Sequence, residues 1–313
     1  MRYLVTGGAG FIGSAVVREL VRRGEQVAVL DDLSTGKERN LDGVLDRVEF
    51  HRASITDLEA VNRAARAADF VIHLAARTSV PRSVKEPLET NAVNVEGTLK
   101  VLLGARDAAA RRVVYAASSS AYGETPTLPK TEAMPAAPIS PYGVSKFAGE
   151  LYAQVFTRVY GLETVALRYF NVFGPRQEPG SPYSGVLARF MLAAIRGEQP
   201  VIYGDGEQSR DFTYVDNVVD ATLCACTAAN ASGRVLNVAT GTRISLNETL
   251  RMLEQITGGK LEARHEPDRT GDIRHSLADI RLARDLLGYE PKIGFEEGLR
   301  RTWEWYRAEY AQA

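Results

Sequence analysis

Along the first two-thirds of the 313-residue chain, short apolar runs alternate with longer stretches whose apolar positions recur every three or four residues. Residues 2–6, 26–31, 48–51, 70–73, 112–118 and 164–169 read as strands, several of them apolar throughout, as strands covered on both faces are. Residues 11–23, 58–67, 92–110 and 141–160 read as helices between them. Strands separated by helices of this length pair in parallel through right-handed crossovers. The fold class expected is α/β: a doubly wound parallel Rossmann sheet spanning residues 1–170, with a smaller mixed α/β region over 171–313, partly interleaved with it. Gly, Pro and Ser cluster between residues 174 and 185, where the pattern changes. The last helix is expected to end in Trp303-Glu304-Trp305-Tyr306.

Composition narrows the field only slightly. A formal net charge of −1 supplies no field for nucleic acid or an anionic membrane, and neither partner is expected. No apolar run approaches the roughly 20 residues that span a bilayer, and residues 2–6 already read as a strand rather than a leader, so a cytoplasmic protein is expected. Cys224 and Cys226, two apart in a helical stretch, point to different faces and read as buried, inert thiols. No metal site is expected.

Chemistry enters at the first turn. Thr6-Gly7-Gly8-Ala9-Gly10-Phe11-Ile12-Gly13 lies between the first strand and the first helix, with glycines spaced G-x-x-G-x-x-G. Gly7 permits the tight turn, Gly10 admits a pyrophosphate to the backbone, and Gly13 lets helix and strand pack closely. The helix start then turns free N–H groups toward the anion. Asp31, ending the second strand about 20 residues on, can accept both ribose hydroxyls and would repel a 2′-phosphate, which favours NAD over NADP.

Two further segments stand in order behind it. Ala116-Ala117-Ser118-Ser119-Ser120-Ala121-Tyr122-Gly123 closes the fifth strand, where doubly wound sheets meet their ligands. Tyr142-Gly143-Val144-Ser145-Lys146 opens a long helix, and its four-residue spacing sets Tyr142 and Lys146 on one face. With the glycine turn, these segments resemble the extended short-chain dehydrogenase/reductase family, and within it the nucleotide-sugar epimerases. The resemblance covers nearly the whole chain.

That resemblance implies an isomerase with bound NAD and a UDP-sugar substrate. Tyr142 would take a proton from the sugar C4 hydroxyl while hydride passes to NAD, and the ketose, having swung over, would take the hydride back on its other face. A phenol near pKa 10 is a poor base at neutral pH; the Lys146 ammonium and the nicotinamide would favour its phenolate. Ser118 would hydrogen-bond the reacting hydroxyl. Related dehydratases and decarboxylases carry Asp-Glu or Glu just after the position of Ser118, whereas this chain has Ser119 and Ser120. The resemblance also assigns Asp32, Ser54, Ile55, Leu74, Ala75, Ala76, Asn94 and Tyr169 to the cofactor pocket with Phe11 and Ile12. Ser54 is a departure, since many 4-epimerases have Gly-Asp in that adenine-binding turn. His73 reads as a packed imidazole rather than a base.

For the nucleotide-sugar, the resemblance implies Ser119, Ser120, Asn171, Val186, Val201, Tyr203, Arg210, Arg269 and Asp272. The two arginines suit a diphosphate because the guanidinium fork makes paired charge-assisted bonds. Ser276 aligns with a tyrosine that closes the pocket of epimerases restricted to plain hexoses, so UDP-glucose, UDP-galactose and their N-acetylated forms are all expected substrates. A uronate substrate is the nearest rival; those relatives usually have Thr where this chain has Asn171. A non-catalytic NAD-binding sensor is the rival of another class, and such proteins typically lose the Tyr/Lys pair. The resemblance further implies a homodimer formed through the helices at 92–110 and 141–160.

Overall fold

β-Branched and other apolar residues crowd the strands, and amphipathic helices of two to four turns cover them. The computed structural model describes residues 1–179, 185–267 and 273–311. In chain order, β1 (Arg2–Thr6), α1 (Phe11–Arg22), β2 (Gln26–Asp31), β3 (Glu49–Arg52), α2 (Leu58–Ala65) and β4 (Phe70–His73) form the first half of a sheet. Two short helices, α3 (Val80–Lys85) and α4 (Pro87–Asn91), then lead through a π-helical turn at Ala92–Gly97 into α5 (Thr98–Asp107). β5 (Arg112–Ser118), α6 (Pro141–Val155), a second π turn at Phe156–Tyr160 and β6 (Glu163–Tyr169) follow.

The remaining elements are shorter: β7 (Val172–Phe173), α7 (Val186–Arg196), β8 (Val201–Tyr203), β9 (Ser209–Arg210), β10 (Thr213–Tyr214), α8 (Val215–Thr227), β11 (Arg234–Val238), β12 (Ile244–Ser245), α9 (Leu246–Thr257), β13 (Arg264–Glu266), α10 (Arg281–Leu287) and α11 (Phe295–Tyr310). The main sheet has seven strands in the order β11-β6-β5-β4-β1-β2-β3, every neighbouring pair parallel. The winding direction reverses between β1 and β4, so the carboxyl ends of these two strands open the crevice where such sheets bind ligands. The seventh strand, β11, comes from beyond residue 170. A separate apolar cluster around Phe173, Phe190, Phe212, Leu253 and Trp303 holds β8 and helices α7, α9 and α11 together beside that crevice.

Several boundaries differ from the expected ones for local reasons. The expected helix over 92–110 begins as a π turn, with the Thr98 hydroxyl donating to the Asn94 carbonyl at 2.6 Å. A side chain at Gly97 would sit 2.7 Å from Ile55, so the turn presses directly on the loop after β3. The expected helix over 141–160 likewise changes pitch at Phe156, and Gly161, at φ +70°, stops it. Helices α3 and α4 went unread because Pro81 and Pro87 look like breakers, yet both stand in the first turn, where no N–H is needed. The last helix runs on to Tyr310 rather than ending at Tyr306. Of the two thiols only Cys226 is buried; Cys224 is exposed, which corrects the pairwise reading.

Helix α6 is anchored from below. Its Glu150 receives a bidentate pair from Arg168 of β6, at 2.8 and 2.6 Å, with both side chains about as buried as the apolar core. The Arg168 guanidinium also lies over the Tyr122 ring, 4.5 Å from its centre. Removing one partner of such a pair strands the other charge, so Glu150→Ala is expected to lose about 3 to 5 kcal/mol of stability in urea unfolding. A loss below about 1 kcal/mol would mean that the anchor is unimportant.

Candidate active site

The glycine turn is built by close approach. Gly7 has φ +70°, and a Cβ there would lie 2.7 Å from the Ala75 amide nitrogen at the exit of β4. A Cβ on Gly13 would collide with the Gly7 carbonyl. Gly10 caps α1 without a side chain, and no acidic residue occupies the helix's first turn, so the N–H groups of Phe11, Ile12 and Gly13 meet no competing anion. Asp31 is buried, its carboxylate accepting from Ala9 N (2.9 Å) and Leu33 N (2.8 Å); burial raises its pKa and these two N–H bonds oppose the rise. Asp32 stands beside it and accepts from Ser34 N at 2.9 Å.

The other residues expected at the cofactor fall around this turn in different ways. Leu74, Ala75 and Ala76 leave β4 alongside it, with Ala75 N donating to Thr6 Oγ1 at 3.3 Å. Ser54 Oγ accepts from the Thr56 hydroxyl at 2.9 Å, and Ile55 is buried against Gly97. Asn94 is buried and uses its amide to clamp main chain: it accepts from Arg77 N (2.7 Å) and donates to Arg77 O (3.0 Å) and Ser145 Oγ (2.9 Å). At the end of β6, Tyr169 packs its ring in the core and bonds its hydroxyl to Thr222 Oγ1 at 2.8 Å, on the opposite face of the strand from Arg168.

Beside this cradle lies the Tyr/Lys pair. Ser140 caps α6 by accepting from Gly143 N at 3.1 Å, and Pro141 stands in the first turn. Tyr142 N donates to Ser83 Oγ at 3.1 Å, pinning the helix start to α3. One turn on, Lys146 is only 4% exposed, with its ammonium 4.5 Å from the centre of the Tyr115 ring. A Cβ at Gly149 would overlap the Tyr115 hydroxyl, so that glycine is what lets this ring lie under the helix. Among the described residues no carboxylate pairs with Lys146, and burial brings its pKa down to about 7.

Burial pushes the Tyr142 phenol up, and the opposing pull comes from a hydrogen bond with Ser118. The expected lowering by Lys146 is therefore not something the chain supplies on its own. His73 is fully buried between Thr6 Oγ1 (2.7 Å) and Thr98 Oγ1 (2.9 Å), and burial depresses its pKa to about 3, as fits a packed neutral imidazole. Main-chain N–H groups without a competing acid, a carboxylate at a strand end and an uncompensated buried cation together fit the pyrophosphate, ribose and nicotinamide ribose of NAD.

On the other side of the crevice a cavity of about 240 Å³ is lined by Asn171, Val186, Val201, Tyr203 and Arg210, which the sequence singled out, and also by Phe173, Gln208 and Phe212. Ser276 adjoins it: Asn171 Nδ2 donates to Ser276 Oγ at 3.4 Å and to Asp211 O at 3.0 Å. Asn171 takes φ +35°, a backbone state few residues other than Gly and Asn adopt readily. Arg269 and Asp272 lie outside the described residues. Asp211 went unread. Fully buried, it accepts from Thr240 N (2.9 Å), Thr240 Oγ1 (2.7 Å), Gly241 N (3.0 Å) and Ala278 N (3.2 Å), tying the segment of Ser276 to the loop after β11. An acid between Arg210 and Phe212 was its only signal.

A profile of the NAD dependent epimerase/dehydratase family matches residues 3–239. The chain belongs to this family. Its cofactor is NAD. A UDP-glucose 4-epimerase from Mycolicibacterium smegmatis is 40% identical over 311 residues, covering 98% of this chain and 99% of that one. A UDP-glucose 4-epimerase from Thermotoga maritima, solved with UDP-glucose, superposes with a TM-score of 0.94 at 41% identity, covering 99% of both chains. A UDP-N-acetylglucosamine 4-epimerase from Methanobrevibacter ruminantium M1, solved with UDP-N-acetylmuramic acid, gives the same TM-score at 39% identity over 98% of both chains. Family members at 31% to 35% identity include a decarboxylase, a glucuronate 4-epimerase and a dehydratase, so membership leaves open which reaction is run.

The depressed lysine predicts a pH signature. Lys146 is neutral in the cofactor-free fold between about pH 7 and its ordinary value near 10.4, a window in which the unfolded chain binds one more proton. Stability therefore rises with pH across that window, and the burial cost is complete below it. Lys146→Met is expected to stabilise NAD-free protein most at about pH 6, with a gain that fades by about pH 10, in urea midpoints. A gain independent of pH would contradict the assignment.

Proposed function

We propose that the protein is a UDP-hexose 4-epimerase that also accepts N-acetylhexosamines. The observation carrying this reading is a half-buried Tyr142 one helical turn from the buried Lys146, with Ser118 at the end of β5 followed by two serines instead of acids. Elimination of water or carbon dioxide asks for a further proton-transfer group; Ser119 and Ser120 offer hydroxyls of ordinary acidity only. The similarity to UDP-glucose 4-epimerases along the whole chain supports the same choice.

When bound, NAD accepts hydride from the sugar carbon and returns it. The chain's own residues do the rest. Tyr142 takes the proton of the C4 hydroxyl, Ser118 hydrogen-bonds that same hydroxyl and steadies the transfer, and Lys146 supplies the positive charge that favours the phenolate. The division of labour follows the sheet: residues 1–170 hold the cofactor, while 171–313 hold the uridine diphosphate, with Arg210 and Arg269 on the phosphates and Asp272 on the ribose. Anomeric-proton NMR with UDP-galactose and, separately, UDP-N-acetylglucosamine is expected to show both 4-epimers, and Tyr142→Phe is expected to lower turnover by about 10² to 10⁴. Retention of more than a few percent of turnover would remove Tyr142 from the reaction, and conversion of UDP-glucuronate alone would replace the substrate.

Substrate breadth rests on Ser276. Ser276 is bonded by Asn171, which lines the cavity, and its small side chain stands where the resemblance puts a pocket-closing tyrosine. Ser276→Tyr is expected to cut kcat/KM for UDP-N-acetylglucosamine by about 10-fold or more while sparing UDP-galactose. Equal loss on both substrates would discard the pocket argument.

The working unit is a cytoplasmic homodimer. Val144, Leu151, Val155 and Val159 form an exposed apolar ridge along α6 and its π extension, each at least 44% exposed, which a second copy would cover. No helix of the described residues is long and apolar enough to cross a membrane. Sedimentation is expected to give twice the chain mass, and Leu151→Glu with Val155→Glu to give monomers; a monomeric wild type would refute the dimer.

A further inference from the structure

A second cavity, of about 330 Å³, runs along α1 and shares no lining residue with the first. Phe11, Arg18 and Arg22 line it from α1, on one face of the helix, and Val215 and Val219 of α8 stand opposite, with Pro175 and Arg176 beside them. Cations outnumber acids among its side chains, with Arg18, Arg22, Arg176 and Lys292 set against Glu19, Asp216 and Asp220.

The acids already have partners. Glu19 is held by Arg22 and Arg23, each at 2.7 Å, and Asp220 by Lys292 at 2.7 Å. Arg301 stands 3.9 Å from Asp216. Arg18, by contrast, gives Nε and Nη2 to the main-chain carbonyls of Asn40 and Asp42, at 2.7 to 3.1 Å, which leave its charge uncompensated. Among the described residues no acceptor is bonded to the Arg176 side chain. Burial holds both guanidinium groups below the ordinary arginine value. At Arg18 the Arg176 charge adds to the fall, while at Arg176 it is opposed by Glu309, Tyr214, Asp216 and Asp42. Of these, Glu309 is itself bound to Arg39 at 3.1 Å.

The backbone keeps Arg176 there under strain. Its φ is +68°, a left-handed state that disfavours residues with a Cβ. The chain is fixed on both sides of it. A Cβ at Gly174 would lie 2.6 Å from Val215 Cγ1, and the Gln177 carbonyl accepts from the Tyr306 hydroxyl. Neither the cofactor turn nor the nucleotide-sugar cavity uses this guanidinium.

We propose that the groove between α1 and α8 is a second anion site, in which Arg18 and Arg176 hold the phosphate of a small phosphorylated ligand. Guanidinium forks suit this group because each can make paired charge-assisted hydrogen bonds to phosphate oxygens. A phosphate monoester carries about −1.5 to −2 at pH 7, enough to answer both arginines, whereas a carboxylate answers one. The apolar wall of Phe11, Val215 and Val219 receives the rest of the ligand. Such a ligand joins α1 of the cofactor half to α8 and the segment around Arg176 in the other half.

The test is a calorimetric titration of the full chain with inorganic phosphate at constant ionic strength, with NAD and UDP present to fill the anion sites of the crevice. One phosphate per chain is expected to bind with a Kd on the order of millimolar, and acetate is expected not to compete. Arg176→Gly removes the guanidinium and suits the left-handed backbone, so the fold is expected to survive while phosphate binding weakens about 10-fold or more. Arg18→Gln is expected to weaken it likewise. No saturable phosphate binding in the wild type, acetate binding as tightly as phosphate, or unchanged binding in Arg176→Gly overturns the proposal. Arg176 lines neither the glycine turn nor the first cavity, so the difference reads this groove whether or not the chain converts a UDP-sugar.

Discussion

An ammonium buried beneath a helix, with no carboxylate paired to it among the described residues, is the constraint around which this fold is arranged. Lys146 is too well covered to be hydrated and sits over an aromatic ring in place of an acid. Burying a charge in this way is costly unless something completes the site. The elements that hold it there are correspondingly firm: the Arg168–Glu150 pair anchors α6 to the sheet, Gly149 admits the Tyr115 ring, and Ser83 pins the helix start. The glycine turn opens onto the same crevice at the point where the sheet reverses its winding.

The second half of the molecule obeys a different rule. Its strands are two or three residues long and its packing is aromatic, so precision comes from buried hydrogen bonds rather than from a ladder. Asp211 collects four donors from two segments and thereby sets where Asn171 and Ser276 meet. Breadth of substrate, under the proposed function, depends on the size of one small residue bonded to Asn171, while the chemistry depends on residues of the sheet some distance along the chain.

Much of this was legible beforehand, and for identifiable reasons. Strands apolar on both faces, the glycine spacing and the Tyr142–Lys146 interval are periodic or local signals, and the sheet and the nucleotide turn followed from them. The cavity residues Asn171, Val201, Tyr203 and Arg210 were placed by resemblance and do meet around one space. Tertiary information was harder to see. The π turn at Ala92–Gly97 answers to Ile55, about forty residues away, and Asp211 looked like any acid beside an arginine. The sign of the Tyr142 shift was also hidden, because burial acts on the phenol before any cofactor charge does.

The central claim is that one hydrogen leaves a sugar carbon and returns to that same carbon on its other face. UDP-galactose carrying deuterium at C4, incubated with the NAD-loaded protein in ordinary water and followed by mass spectrometry and NMR, tests it most directly. The account predicts UDP-glucose with the deuterium still at C4. Product that has lost the label to solvent, or a product short of water or carbon dioxide, would contradict it.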